Sequence, residues 1–299
     1  MLQGTMMQTR RHFIRISLGA TAAAVPATWC RAEEVSPNLK IKLRVCVASD
    51  LHYGQKDTPY AKMADDLVGW VNEEKKTKGL DALFLNGDLT NDSSEALLTL
   101  RDGPLSKLQV PFHTIKGNHD FIDERPGSLT ESWQKIWGYP SNHTVKYGDF
   151  VFIMADTSAP RKSDVYLAAD IEWLKKELEA HKDAPAIFVM IHIPQRKQGV
   201  EGWPQHGVHD AEEVGKAEAV MDLLESTGNV SGIFHGHNHD ETAAYVSGEK
   251  RYFFDSHVGG SWGAKKGYRI LEIYEDHRML TYQMNAEDDI ESNRDEIMG

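Results

Sequence analysis

The 299-residue sequence predicts an α/β fold, layers of strands and helices in one catalytic-sized domain. Three observations lead there. Over most of the chain, short apolar runs of strand length alternate with segments of helical periodicity. From about residue 243 the pattern changes to strands and turns alone. No repeat or low-complexity linker divides the span.

Ile41 to Ser49 is the first apolar run, and Tyr60 to Lys76 carries Tyr60, Met63, Leu67, Trp70 and Val71 at helical spacing. Ala82 to Asn86 reads as a strand ending in Gly87-Asp88, and Val110 to Lys116 as another ending in Gly117, with a helix from Ser93 to Lys107 between them. Trp133 and Trp137 share one helical face, which predicts core packing. Thr144 to Tyr147 and Phe150 to Ala155 flank Gly148-Asp149 as a hairpin. Asp164 to His181 reads as a helix with Ile171, Leu174 and Leu178 on one side. Ala186 to Ile191 and Ser231 to Phe234 are buried-strand candidates, separated by a loop and a helix from about Ala211 to Ser226. Ala243 to Gln283 holds three or four strands, with turns at Ser247-Gly248 and Glu275-Asp276. The domain therefore runs from 41 to 285, after a polar linker at 33–40 and before a polar tail at 286–299.

With 40% apolar and 26% charged residues the composition is globular and excludes a disordered or fibrous chain. A net charge of −12 argues against duplex nucleic acid as the partner, because that binding needs a basic surface. Residues 1–32 resemble a twin-arginine export signal: Arg10-Arg11 is followed by Phe13 and Ile14, an Ala-rich apolar stretch from Ile16 to Trp29, and Ala32 as a cleavage-type small residue. The apolar stretch is short for a membrane span and Pro26 interrupts it. Trp29 before Cys30 does not fit a lipoprotein signal. The expectation is a periplasmic or secreted protein with no stable membrane insertion after signal cleavage. Its mature form would carry 29 basic against 45 acidic residues, and Cys46 alone, so no internal disulfide.

Five apolar runs end in residues of metal-ligand type: Asp50-Leu51-His52, Gly87-Asp88, Gly117-Asn118-His119-Asp120, His192, and Gly236-His237-Asn238-His239. In α/β sheets ligand sites assemble at strand ends. Asp-x-His and Gly-Asp are weak patterns alone, common in turns. Gly-Asn-His-Asp and Gly-His-x-His are more specific, since alternate residues on a short strand present both rings to one side. A mixed oxygen and nitrogen donor set suits iron, manganese or zinc, where calcium or magnesium prefers oxygen alone.

In this order the segments resemble the calcineurin-like metallophosphoesterase family, from Val45 to about Met284. The resemblance implies two packed mixed β-sheets flanked by helices, a four-layer αββα sandwich. It implies two divalent or trivalent metal ions, one held by Asp50, His52, Asp88 and His239, the second by Asp88, Asn118, His192 and His237, with Asp88 as bridge. Such a pair, about 3.5–4 Å apart, activates a bridging water as hydroxide for in-line attack on phosphorus. His119 matches the family's non-ligating histidine, expected to act as general acid on the leaving alkoxide, with Asp120 orienting its ring. Where purple acid phosphatases carry a tyrosine ligand this chain has Asn91, which moves the resemblance towards the bacterial cyclic-nucleotide phosphodiesterase branch.

The implied partner is a small phosphate ester, diester or monoester. The segment Pro194 to His209, with Gln195, Arg196, Lys197, Trp203, His206 and His209, is either a substrate lid or a solvated loop. His235 is expected to be structural, and His257 follows an apolar run at a position that sequence does not decide. The alternative function is a non-catalytic metal-binding or sensing protein on the same scaffold, which has no use for the acid His119.

Overall fold

A computed structural model describes residues 39–91, 94–120, 133–159, 162–195, 206–240, 244–247 and 250–297. The expected export signal, most of the linker, and Arg196, Lys197 and Trp203 lie outside the described residues. β1 (Ile41–Ala48), α1 (Tyr60–Lys78), β2 (Ala82–Asn86), α2 (Ser94–Asp102) and β3 (Phe112–Ile115) come first. A short helix α3 (Trp133–Trp137) precedes the hairpin of β4 (His143–Tyr147) and β5 (Phe150–Met154). Then come β6 (Ser158–Ala159), β7 (Lys162–Tyr166), α4 (Ile171–Ala180), β8 (Ile187–Met190), α5 (Ala211–Ser226) and β9 (Val230–His235). The remainder is β10 (Ala244–Ser247), β11 (Lys250–Phe254), β12 (Gly267–Tyr274), β13 (Met279–Asn285) and β14 (Ile290–Ile297).

These strands make two mixed six-stranded sheets, ordered β14-β13-β12-β1-β2-β3 and β10-β11-β9-β8-β5-β4, and a small β6-β7 pair. The inner faces meet in one apolar layer. Alternate residues Leu43, Val45 and Val47 of β1, with Phe84 of β2, face Phe152, Phe188 and Phe234 of the other sheet. Phe84 and Phe152 stack with centroids 4.4 Å apart, and each fully buried phenylalanine contributes about 1.5–3 kcal/mol. On the outer face of the second sheet, Leu174 and Leu178 of α4 and Val220, Met221 and Leu224 of α5 cover Val151, Ile153, Val189 and Ile233. Strands buried on both sides explain why β2, β5 and β8 read as unbroken apolar runs.

The intervening residues of β1 face the opposite way, where α1 buries Met63, Leu67 and Val71. Arg44 is buried there, bonded through Nε to Glu272 at 3.0 Å, through Nη2 to Glu74 at 2.6 Å, and through Nη1 to the Gly79 carbonyl. Among the described residues no helix is long and apolar enough to cross a membrane.

Three expectations are corrected. The helix expected from Asp164 begins at Ile171, where Asp170 Oδ1 accepts from the amides of Glu172 and Trp173, and Lys162–Tyr166 forms β7 instead. The helix expected to reach Lys107 stops at Asp102; Gly103 and Pro104 end it, and Leu105–Lys107 continues as one 3₁₀ turn. The polar tail 286–299 includes β14, an edge strand antiparallel to β13 whose exposed residues carry no apolar alternation.

Candidate metal centre

Strand direction explains why distant motifs converge. β1, β2 and β3 run parallel in one sheet, and β5, β8, β9 and β11 run parallel in the other. Their carboxyl ends therefore deliver residues 50–52, 88, 118–120, 192 and 237–239 to one edge of the sandwich. The loops are sewn together by main-chain bonds of 3.0 Å from Asp50 to Gly87, His52 to Asp88 and Tyr53 to Leu89.

The backbone is strained at these residues. Asp50, His52, Asp88 and His237 all adopt positive φ, at 56°, 47°, 50° and 68°, a conformation costing about 1–3 kcal/mol for such residues. Gly117 of the Gly-Asn-His-Asp motif is required by space: a Cβ there would fall on the Asp88 carboxylate. Gly87 likewise has positive φ, and its missing Cβ makes room for the His192 ring.

Asp88 Oδ2 lies 3.7 Å from His52 Nε2 on one side and 3.2 Å from His192 Nε2 on the other. Beyond His52, His239 Nε2 lies 3.1 Å from His52 Nε2 and 3.2 Å from Asp50 Oδ1. Beyond His192, His237 Nδ1 and Asn118 Oδ1 are 3.0 Å apart. Among the described residues, Asp50, His52 and His239 thus form one group able to hold a metal, Asp88, His192 and His237 another, and His52, Asp88 and His119 a third that overlaps both sides. All seven predicted ligands are brought together.

The partners of the ring nitrogens set the tautomers. His52 Nδ1 donates to Asn91 Oδ1 at 3.1 Å, His239 Nδ1 to the Trp262 carbonyl at 3.2 Å, and His192 Nδ1 to the Asn86 carbonyl at 2.7 Å. Each ring's proton is thereby fixed on Nδ1, leaving an Nε2 lone pair aimed inward. In the neutral rings, lone pairs of His52 and His239 face each other across 3.1 Å, and buried His192 Nε2 has no hydrogen-bond partner. Acceptors facing acceptors are stable only around cations, so this donor set fits the metals that the motifs imply.

The charges agree. Burial pushes Asp50 up, but His239 and His192 hold it below the usual carboxylate range; Asp88, despite burial, is lowered by His192 and then His52. Burial resists a proton on His192, yet Asp88 and Asp50 hold one up to about 10, the mark of a place that demands positive charge. Burial pushes His52 down to about 4 and His237 to about 3, keeping both rings neutral as ligands must be.

His119 is half-buried beside this cluster, its amide donating to Asp88 Oδ1 at 2.8 Å and its ring edge-on to His52 at 5.1 Å. Asp120, expected to orient that ring, bonds both neighbouring loops. Its Oδ1 accepts from the Thr90 amide and hydroxyl, and its Oδ2 from the amides of Leu89 and Gly117. The carboxylate clamps the β2 loop to the β3 loop. Burial and the nearby Asp88 raise it to about 7.

Gln195 is buried, its Oε1 accepting from the Ala169 amide, so it braces the loop after His192 from inside. His235 donates from Nδ1 to the Ile191 carbonyl, a structural bond. His209 and His237 both meet the ring of Tyr166 edge-on, at 5.0 and 4.6 Å. Tyr166 and Trp262 border the centre with no sequence motif to mark them, and His257, whose place sequence does not decide, stacks on His239 there.

The profile of the family described as calcineurin-like phosphoesterase matches residues 43–241. A protein named "Probable glycerophosphodiester phosphodiesterase GpdQ" from Arcobacter nitrofigilis is 28% identical over 164 residues, 53% of this chain and 56% of that one. The chain thus spans little more than half of that relative. A "Probable cyclic nucleotide phosphodiesterase" from Psychrobacter arcticus is 22% identical over 221 residues, 68% of this chain and 76% of the relative. Among solved structures, a dimetal phosphatase from Danio rerio superposes with a TM-score of 0.64 at 15% identity, covering 87% of this chain and 99% of that one, which shows a shared fold. With the profile spanning two thirds of its length and both sheets in place, the chain belongs to the calcineurin-like phosphoesterase family.

Proposed function

We propose that this phosphoesterase hydrolyses small phosphodiesters or phosphomonoesters at a dinuclear centre bridged by Asp88, with His119 as general acid. The observation that carries it is the place of Asp88 Oδ2 between the inward nitrogens of His52 and His192, at 3.7 and 3.2 Å. Asp50, His52, Asp88 and His239 would hold one iron, manganese or zinc ion and Asp88, Asn118, His192 and His237 a second, which when bound would supply Lewis-acid polarisation and an activated water at neutral pH. The chain's own groups do the rest. The Nδ1 bonds of His52, His192 and His239 keep each ring turned inward, and Asn118 is held by its Nδ2 donating to the Ser163 carbonyl at 2.8 Å. His119, held at its amide by Asp88 Oδ1, protonates the departing alkoxide. A small anionic ester suits an acidic chain, because bound cations reverse the field locally.

Turnover of bis-p-nitrophenyl phosphate and p-nitrophenyl phosphate by protein loaded with manganese, zinc or iron, read beside elemental analysis, tests this. About two metals per chain with turnover supports it. Two metals without turnover of these esters or of any cyclic nucleotide would turn the reading to a metal-binding or sensing protein. Export by the twin-arginine route is part of the proposal and rests on residues 1–32 of the sequence. Secretion of a reporter fused to that segment is expected to stop with Arg10→Lys and Arg11→Lys together, and continued secretion would overturn that route.

A further inference from the structure

We infer that Trp262 selects substrates that carry a planar ring, stacking a nucleoside-like group of the ester against its outer face; this rests on the proposed phosphoesterase function. β11 runs parallel to β9, so the loop that follows it emerges at the same edge as the candidate ligands. That loop is pinned at its start by amides of Val258 and Gly259 donating to the carbonyls of Ser49 and Asp50, at 3.1 and 2.7 Å. It is pinned at its end by the Ala264 amide donating to the His239 carbonyl at 2.9 Å. Within it the His257 ring nitrogens reach the carbonyls of Gly259 and Ala264, at 2.7 and 2.6 Å. Gly260 and Gly263 have positive φ, and a Cβ on either would strike His239. The loop is therefore shaped to lie against His239.

What it presents there is an indole. The Trp262 ring is parallel to His239 within 4° at 4.5 Å, and His257 covers the other face of His239 at 4.6 Å. The stack His257, His239, Trp262 runs from the buried interior to solvent, where Trp262 remains 48% exposed. Its centroid is only 5.4 Å from His52. Covering His239 uses one face of the indole. The other is a flat, preoriented aromatic surface beside the reacting phosphorus, and any base can extend the stack because every base has a π-face. An ester with aliphatic arms gains nothing comparable.

The test compares wild type, Trp262→Phe and Trp262→Leu on adenosine 3′,5′-cyclic monophosphate and on glycerophosphoethanolamine, both with alkoxide leaving groups. Trp262→Leu is expected to lower kcat/KM for the cyclic nucleotide about tenfold more than for the glycerol ester, mainly through KM, while Trp262→Phe keeps most of the preference. By calorimetry it should weaken AMP binding about tenfold more than binding of inorganic phosphate. Equal losses on both substrates with falling metal content would make Trp262 a cover for His239 only and overturn the inference, as would an unchanged ratio or a wild type that turns over the glycerol ester alone. A wild type that binds neither AMP nor phosphate and hydrolyses neither ester would overturn the phosphoesterase function as well.

Discussion

Nε2 of His192 stands 3.2 Å from Oδ2 of Asp88, and the other nitrogen of the ring is already given to the Asn86 carbonyl. With the ring neutral, a lone pair then faces a carboxylate in a place sealed from water, a contact that a proton held up to about 10 or a metal cation relieves. Metal binding to the native state alone stabilises it by about 2.7 kcal/mol at a hundredfold excess over Kd, or roughly 5–10 °C in Tm for a domain of this size. Chelation should lower Tm by that amount and added manganese or zinc restore it. In Asp88→Asn the metal-dependent increment should vanish. A melting temperature indifferent to chelator in the wild type would count against the centre.

His119 is tied to Asp88 through its amide, a bond that any side chain preserves. His119→Ala should therefore keep its metals yet lose rate by about 10²–10⁴-fold with an alkoxide leaving group, and far less with p-nitrophenolate, which needs no proton. Equal loss with both leaving groups, at full metal content, would remove the general-acid role.

Much of this centre was legible from sequence because it depends on local signals at strand ends. A glycine before Asp88, before Asn118 and before His237 marks close approach, and the ligand types follow within two residues. The unread parts depend on topology. Trp262 and His257 approach because β11 is parallel to β9, and no residue pattern within 250–254 announces that direction. Tyr166 lies on β7, in a stretch that merges in sequence with the helical period of Ile171, Leu174 and Leu178; the capping Asp170 is the signal that separates them. Arg44 sat unnoticed in an apolar run, its partners Glu74 and Glu272 distant in sequence.

Asp120 offers a sharp distinction between two roles. Its carboxylate accepts four bonds from Leu89, Thr90 and Gly117, three of them from main-chain amides. Asp120→Asn turns one oxygen into a donor facing donors, at a cost of about 1–3 kcal/mol for each group left unpaired. Lower Tm and weaker metal retention are expected, with turnover per bound metal preserved for good and poor leaving groups alike. If the variant instead reproduced the leaving-group dependence of His119→Ala, an orienting role for Asp120 would be favoured over the clamp.

A pH effect should arise outside the candidate ligand set, at His113. Its ring stacks on Phe84 at 5.6 Å, its Nε2 is 3.0 Å from the Tyr147 hydroxyl, and His143 is its charged-type neighbour at 6.3 Å. Burial first, then His143, pushes its pKa down to about 4, and burial lowers His143 in the same direction. In the unfolded chain each ring takes a proton near 6.5. The folded state refuses that proton until about pH 4, so this stability is complete above about 6.5 and drains as pH falls towards 4. His113→Gln keeps a polar partner for Tyr147 and removes the titration. Measured as Tm at pH 7.5 and pH 5, the acid penalty should shrink by a few degrees in the variant. Loss of metal at low pH affects both proteins alike, so the difference between the two penalties isolates His113. Identical penalties would mean that the ring is protonated as readily in the folded protein as in the unfolded one, against its burial beside Phe84.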